Sequence, residues 1–278
     1  MRTGVCEVRS GRGIIRGRGL AALLLALCLL PLCAWAASPP VETAQSNVRV
    51  KGYPTPWVPL RERVADSYFD DVLMLGDSLA SGIPYYKVMP ALNVVFRIGL
   101  APGSIARDAK VMRQGRAYQT VPEHLRDLHP KVLYIWLGLN GVEGNPADEI
   151  LGYYDTMLNR IIAALPDTLI CLVELTPVTP EAVQNRGRLS NRNVNDFNAG
   201  LWRLAREHNV YLLRWHDTLL GDDGAINKKY ASTDGYHLSK GAYRLLVDYL
   251  YTHTLPLDAL ENAPRAGAPG KITALASQ

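Results

Sequence analysis

Polar residues directly follow several apolar runs of this sequence, and their types suggest nucleophilic chemistry. Ser78 stands in "LGDSLASG" after one apolar run, and Asn140 stands in "LGLNG" after another. Asp234 and His237 lie three residues apart in "TDGYHLS", late in the sequence. A serine hydroxyl is a weak nucleophile at neutral pH, and it needs a base such as histidine to accept its proton. Together these residue types predict nucleophilic acyl transfer.

Each of these residues has a defined role in such a reaction. His237 would accept the Ser78 proton, and Asp234 can reach the other ring nitrogen of His237 if the segment between them forms a single turn. The negative oxygen of the tetrahedral intermediate needs donors that already point at it. The Ser78 amide, the amide of a flexible glycine and the Asn140 side chain could supply three. Removing one such donor typically slows a reaction about 10²–10³-fold.

The elements that must position these residues alternate along the chain. Short, nearly continuous apolar runs predict strands buried on both faces, at residues 72–75, 93–98, 131–137, 168–175 and 210–215. Amphipathic segments between and after them predict helices at 104–116, 147–164, 191–208 and 239–254. Asn191 or Asn195 is the expected N-cap of the third helix, and Ser239 that of the fourth. Strand–helix alternation predicts a parallel sheet, whose binding crevice lies beyond the carboxyl ends of the strands.

The N-terminal residues 1–36 are predicted to be a signal peptide. An arginine-containing start leads into the uncharged run "LAALLLALCLLPLCAWA" (residues 20–36), which ends in the small-x-small pattern Ala34-Trp35-Ala36. Cleavage near Ala36 is expected, with an uncleaved anchor as the alternative. Five arginines and one glutamate in residues 1–37 account for the whole net charge of +4, so the remaining chain has no net charge. This balance argues against nucleic acid as a partner. The mature protein is expected to be exported, periplasmic or secreted, without a stable membrane span.

The rest of the chain is predicted to form one domain at residues 61–255. Residues 37–60 are rich in proline and polar residues and predict a linker or strap, and residues 256–278 predict a loose tail. Cys171 is the single cysteine after the leader and lies in the apolar run "TLICLVEL", which favours a buried, inert thiol. No His-Glu-x-x-His pattern or carboxylate cluster suggests a catalytic metal.

Four short blocks make the sequence resemble the SGNH (GDSL) hydrolase family, in particular an extracytoplasmic bacterial branch. "LGDSLASG", "GLAPGS", "LGLNG" and "DGYHLS" are similar to its serine, glycine, asparagine and histidine blocks, and the similarity covers about residues 66–252. The glycine block departs from the usual Gly-x-x-Gly spacing, because Gly99 and Gly103 are four apart with Pro102 between them. Gly103 is the preferred oxyanion donor, and Gly99 is the alternative. Gly141 follows Asn140 where many members have aspartate, a change expected to alter loop packing more than catalysis.

The resemblance implies a flavodoxin-like three-layer α/β/α sandwich with a mostly five-stranded parallel sheet. It also implies a serine esterase in which Ser78, His237 and Asp234 form the triad and Ser78, Gly103 and Asn140 form the oxyanion hole, without cofactor or metal. We expect short acyl groups, such as O-acetyl on cell-wall or extracellular polysaccharide, as the substrate. A lipase or lysophospholipase activity and an O-acyltransferase activity are alternatives. A carbohydrate-binding module that keeps the fold without turnover is the non-enzymatic alternative.

Overall fold

The computed structural model describes residues 56–115, 117–185 and 189–257. The expected leader, most of the expected linker and nearly all of the expected tail lie outside the described residues. Among the described residues, no helix has both the length and the apolar character needed to span a membrane.

A five-stranded parallel sheet forms the centre of the domain. Its strands lie in the order β2-β1-β5-β6-β7, and a separate antiparallel hairpin pairs β3 with β4. The strands are β1 Val72–Gly76, β2 Asn93–Phe96, β3 Met112–Gln114, β4 Ala117–Gln119, β5 Val132–Trp136, β6 Leu169–Val173 and β7 Tyr211–Leu213. The chain leaves β1 toward β2 and later returns to β5 on the other side of β1. This is the flavodoxin-like order, which confirms the predicted fold class.

Eight α-helices follow or precede these strands in the described residues. They are α1 Ser78–Tyr86, α2 Pro102–Ala106, α3 Val121–Leu128, α4 Leu139–Val142, α5 Ala147–Ala164, α6 Pro180–Asn185, α7 Asn191–Glu207 and α8 Lys240–Thr252. Two 3₁₀ helices, Asp66–Phe69 and His216–Leu219, complete the set. The long helices α5, α7 and α8 confirm the helices predicted from apolar periodicity.

The strands carry the core because both faces of the sheet are covered. Every residue of β1, β5, β6 and β7 is buried, which is why these strands are continuous apolar runs rather than alternating ones. Helix α5 adds its own buried stripe, which includes Ile150, Tyr154, Leu158 and Ile161. Residues 56–58 extend the sheet locally: Val58 N–H donates to Leu212 O (3.1 Å), and Leu212 N–H donates to Pro56 O (2.8 Å).

The predicted helix at 104–116 is wrong beyond its first turn. Helix α2 ends at Ala106, and the chain enters the β3–β4 hairpin six residues later. Asp108 breaks the helix because it has a left-handed backbone (φ 53°), a conformation that a continuing α-helix excludes. In the sequence, the β3–β4 hairpin therefore begins where the second half of that helix was predicted.

The predicted N-cap of α7 is also wrong, whereas that of α8 is confirmed. Ser190 caps α7 by accepting the Asn193 N–H (3.1 Å), and Ser239 caps α8 by accepting the Ala242 N–H (3.4 Å). The side chain of Asn191 is used elsewhere: its Oδ1 accepts the Val178 N–H (2.8 Å) and its Nδ2 donates to Val178 O (2.9 Å).

Candidate active site

Ser78 is the first residue of α1, immediately beyond the carboxyl end of β1. The preceding residue, Asp77, caps this helix because its Oδ1 accepts the Leu79 N–H at 2.9 Å. The Ser78 amide, as a first-turn amide, has no acceptor within its own helix. The half-buried Ser78 hydroxyl and the Ser78 amide, which has no helical acceptor, thus lie together at the carboxyl edge of the sheet.

His237 faces Ser78 from a loop 159 residues further along the chain, with Nε2 and Ser78 Oγ 2.8 Å apart. Its other ring nitrogen, Nδ1, lies 2.7 Å from Asp234 Oδ2. An ionised carboxylate only accepts hydrogen bonds, so Nδ1 carries the proton and Nε2 is left to accept one from the Ser78 hydroxyl. Ser78, His237 and Asp234 therefore form one continuous hydrogen-bonded chain.

Asp234 is held as an anion by its own turn. Its Oδ1 accepts the backbone N–H groups of Tyr236 (3.1 Å) and His237 (3.0 Å). Partial burial by itself raises the pKa of Asp234, but the hydrogen bonds from the His237 side chain and from these two amides outweigh it and lower the pKa below its ordinary value. The sequence spacing Asp-x-x-His is what allows one turn to supply these contacts.

The Asp234–His237 turn is anchored to the loop that follows β6. Gly235 has a left-handed backbone (φ 81°), and its carbonyl accepts the Thr179 N–H at 2.8 Å. A methyl group at Gly235 would lie 2.2 Å from Thr179 Oγ1, so only glycine fits this approach. Val178, the neighbour of Thr179, is the residue held on both sides by the Asn191 amide. Thr179 and Asn191 were not predicted as site residues, because nothing in the local sequence connects them with residue 235.

Asn140 lies at the carboxyl end of β5, the strand adjacent to β1. Its Nδ2 donates to Asp77 Oδ2 at 2.8 Å and, in a longer contact, to Leu100 O at 3.3 Å. The amide therefore lies between the residue preceding the serine and the loop that follows β2. This hydrogen bond between Asp77 and Asn140 was not among the contacts predicted from the sequence. The position of Asp77 directly before Ser78 is the sequence feature that could have indicated this contact.

Asp77 is a fully buried carboxyl group. Burial raises its pKa to about 7, although the hydrogen bonds from Leu79 and Asn140 act in the opposite direction. Tyr154 and Tyr243 also interact electrostatically with this group. An acid beside the serine is thus bound to the helix cap and to Asn140 rather than to His237.

The two candidate glycines have different structural positions. Gly99 is exposed, has φ 75°, and is the third residue of a turn closed by a Leu100 N–H bond to Arg97 O (3.0 Å). Gly103 is buried and is the second residue of α2, where an amide has no acceptor within its own helix. The positive φ required by the turn explains why residue 99 is glycine. The Gly103 amide, by contrast, has no acceptor within its helix and is free to donate to an oxyanion.

Other chemically capable residues lie elsewhere. His216 is buried, and its Nδ1 lies 2.7 Å from Leu175 O, which makes it a packing residue. Cys171 is buried in β6, and this burial raises the pKa of its thiol. Within the described part of the chain, no three His, Cys, Asp or Glu side chains are arranged to hold a metal ion.

The arrangement is suited to covalent catalysis by serine. A base in hydrogen-bond contact with the nucleophile, a carboxylate that orients the base, and amide donors beside the nucleophile are the parts that acyl transfer requires. They meet at the carboxyl ends of β1 and β5, where the sheet order reverses direction and where ligands bind in open α/β sheets.

Comparisons with known proteins agree with this architecture. The model of the GDSL-like lipase/acylhydrolase family matches residues 74–245. The platelet-activating factor acetylhydrolase IB subunit alpha2 proteins of Homo sapiens and Bos taurus are 29% identical over 202 residues, covering 70% of this chain and 79% of theirs. The crystal structure of a GDSL-like lipase from Bacteroides thetaiotaomicron superimposes with a TM-score of 0.51, covering 72% of this chain and 93% of that chain at 17% identity. At that identity the structural match speaks for the fold alone.

Proposed function

Because the chain belongs to the GDSL-like lipase/acylhydrolase family and is thus an ester-hydrolysing enzyme, we propose that Ser78 is its nucleophile and that His237 and Asp234 complete the triad. The observation that carries this proposal is the continuous contact from Ser78 Oγ to His237 Nε2 (2.8 Å) and from His237 Nδ1 to Asp234 Oδ2 (2.7 Å). Both contacts are already short enough for proton transfer and for orientation of the ring.

In the first half of the reaction, Ser78 Oγ bonds to the ester carbonyl carbon while its proton moves to His237 Nε2. The tetrahedral intermediate then breaks its bond to the alcohol oxygen, and His237 returns the proton to the departing alcohol. Asp234 stabilises the imidazolium that exists between these two transfers. In the second half, water attacks the acyl-enzyme with His237 as base, and Ser78 regains its proton as the acid leaves.

The oxyanion is assigned to three donors: the Ser78 amide, the Gly103 amide and Asn140 Nδ2. Gly103 is preferred over Gly99 because Gly103 is buried and its amide lacks a helical acceptor, while Gly99 is accounted for by its turn. One Asn140 hydrogen is held by Asp77, so the oxyanion takes the other from Leu100 O, whose contact is the longer one. Replacing a long bond to a neutral carbonyl by a bond to a full negative charge stabilises the transition state.

For the substrate we propose a short acyl ester, with O-acetyl groups on cell-wall or extracellular polysaccharide as the favoured class. One observation supports a short acyl group: the mammalian relatives are named acetylhydrolases. The export of the enzyme is proposed from the pattern of residues 1–36.

A fluorophosphonate probe tests the nucleophile. We expect the folded protein to be labelled once, at Ser78, and the Ser78→Ala variant to stay unlabelled while its circular dichroism matches that of the wild type. A wild-type protein that folds but does not react would overturn the assignment and favour a binding module.

A series of p-nitrophenyl esters with two to twelve acyl carbons tests the acyl length, with Ser78→Ala as the control. We expect kcat/KM to be highest for the acetyl ester and to fall with each lengthening. Values that rise toward long chains would replace the acetyl preference by a lipase activity. Acetate release from acetylated polysaccharide, measured in parallel with and without a sugar acceptor, separates hydrolysis from acyl transfer.

A further inference from the structure

Positive charge is concentrated in one segment beside the candidate active site. Residues 97–115, here called the basic segment, contain three arginines and one lysine but a single acid; the five are Arg97, Arg107, Asp108, Lys110 and Arg113. The chain from residue 38 onward carries no net charge. The charge of this segment is therefore a local feature rather than a property of the whole domain.

Within the part of the chain that the structure describes, Arg97, at the start of the loop after β2, and Arg107, just after α2, have no acidic partner. Asp108, the only acid of the segment, forms its ion pair with Arg160 of α5. In the described ranges, no carboxylate forms an ion pair with Arg97 or Arg107. Arg107 instead lies over the Tyr153 ring, with Cζ 5.3 Å from the ring centroid. A cation–π contact of this kind fixes a guanidinium while leaving its charge and its N–H donors available.

The basic segment also lies next to the site. Arg97 N–H donates to Gly76 O at 3.2 Å, two residues before Ser78, and the carbonyl of Leu100 accepts from Asn140. Arg107 lies against Gly103: a methyl group on Gly103 would be 3.1 Å and 3.3 Å from the two terminal guanidinium nitrogens. Arg97 and Arg107 are both exposed, so their guanidinium groups are accessible from solvent.

We infer that Arg97 and Arg107 form an anion-binding subsite, and that the natural substrate carries a carboxylate or phosphate group on its alcohol part. This inference rests on the proposed esterase function and narrows its substrate class. An acetyl group has no atom to carry a charge, so the anionic group belongs to the alcohol. A guanidinium binds carboxylate and phosphate oxygens through two parallel N–H bonds, which gives both attraction and orientation. A local positive field also raises the rate at which anionic substrates arrive.

Three acetyl esters that share one aromatic core test the subsite: methyl 4-acetoxybenzoate, which is neutral, 4-acetoxybenzoate and 4-acetoxyphenyl phosphate. The readout is the ratio of kcat/KM for each anionic ester to that for the neutral ester. The intrinsic reactivities of the esters cancel when the ratio of a variant is divided by the wild-type ratio. We expect the double variant Arg97→Gln/Arg107→Gln to lower this ratio about tenfold at low salt. We also expect the wild-type ratio to fall when NaCl rises from about 20 to 500 mM, because salt screens exposed charges.

Arg203→Gln is the matched control, because Arg203 is an exposed arginine of α7 paired with Glu207 (3.8 Å). It should keep the wild-type ratio for both anionic esters. A larger loss for the phosphate or for the carboxylate ester identifies which group the subsite prefers. A double variant that keeps the wild-type ratio for both anions overturns the subsite. Absence of hydrolysis of all three esters by the wild type instead overturns the esterase proposal itself, so the two failures are distinguishable.

Discussion

The buried carboxylate of Asp77 accepts a hydrogen bond from the side-chain amide of Asn140, with Oδ2 and Nδ2 2.8 Å apart. Both Asp77 oxygens act as acceptors, Oδ1 from the Leu79 N–H (2.9 Å) and Oδ2 from Asn140, so this contact fixes which way the Asn140 amide faces. Its second N–H is then directed away from Asp77, where the oxyanion is proposed to form. The residue before the serine thus connects the helix that carries the nucleophile with the strand end that carries the amide donor.

If Asp77 orients Asn140, Asp77→Asn will lower kcat about ten- to a hundredfold and leave KM nearly unchanged. This is the loss expected when one oxyanion donor is partly disabled. An asparagine at this position can donate as well as accept, so the Asn140 amide can reverse. The measurement is steady-state hydrolysis of an acetyl ester.

The control for this experiment is Asp248→Asn, the same chemical change at an exposed aspartate paired with Arg63 (3.0 Å), which should keep wild-type kcat. A double variant with Asn140→Ala completes the cycle. Because both changes act on one donor, the double variant should be no slower than Asn140→Ala alone. Fully additive losses would show that Asp77 acts independently of Asn140.

Asp234→Asn is expected to lower kcat about 10³–10⁴-fold while the fold is retained. An amide at this position no longer requires the proton to be on His237 Nδ1, so Nε2 is no longer reserved for the Ser78 proton. The rate of fluorophosphonate labelling should fall with kcat. A variant that keeps more than about a tenth of wild-type activity would exclude Asp234 from the triad.

Gly235→Ala should damage both stability and activity, because the new methyl group meets Thr179 Oγ1 at 2.2 Å. Gly224→Ala is the matched comparison: Gly224 has a similar backbone (φ 73° against 81°), and no atom lies within 4 Å of an added methyl group. In both variants an alanine with a left-handed backbone lowers the free energy of unfolding by about 1–2 kcal/mol. The difference between them isolates the contact with Thr179.

We expect the free energy of unfolding of Gly235→Ala, from urea denaturation, to fall about 1–3 kcal/mol more than that of Gly224→Ala. In addition, kcat/KM should fall only for Gly235→Ala, since the displaced turn carries Asp234 and His237. Equal effects of the two substitutions would mean that the turn moves away from Thr179 without consequence.

The pH dependence of stability offers a test away from the site. Glu174 is buried, and burial raises its pKa to about 7, against the opposing effects of Arg214 and the His216 N–H. Between its ordinary value near 4.5 and about 7, the folded protein retains a proton that the unfolded chain has released. The contribution of Glu174 to the free energy of unfolding is therefore fully present below pH 4.5 and is lost as the pH rises through 7.

Glu174→Gln should flatten this decline, which for one proton cannot exceed about 1.4 kcal/mol per pH unit. Asp77 adds a decline of the same sign, because its pKa is also raised to about 7. Urea denaturation at several pH values from 4.5 to 8 measures the slope, and Glu62→Gln on the surface should leave it unchanged. A wild-type protein whose stability rises over this interval would contradict the assignment.

The local pattern of residues was sufficient for the sheet and for most of the large helices. Continuous apolar runs at 72–75 and 131–137 predicted β1 and β5, because a strand buried on both faces needs apolar residues at every position. Ser239 was identified as an N-cap because capping is a contact over three residues. The helix expected at 104–116 failed because the left-handed backbone of Asp108 is not encoded by hydrophobic periodicity.

The sequence by itself determined which residues follow the strands: Ser78 and Asn140 occur where an apolar run has ended, and the Asp234–His237 pair occurs in the long loop after the last run. Only the tertiary structure decided that His237 meets Ser78 across 159 residues and that Asp77 meets Asn140 across 63. Such contacts depend on which strands are neighbours and on how loops are anchored, as Gly235 is to Thr179. Periodicity reports the burial of a segment, but it carries no information about the partner against which that segment is buried.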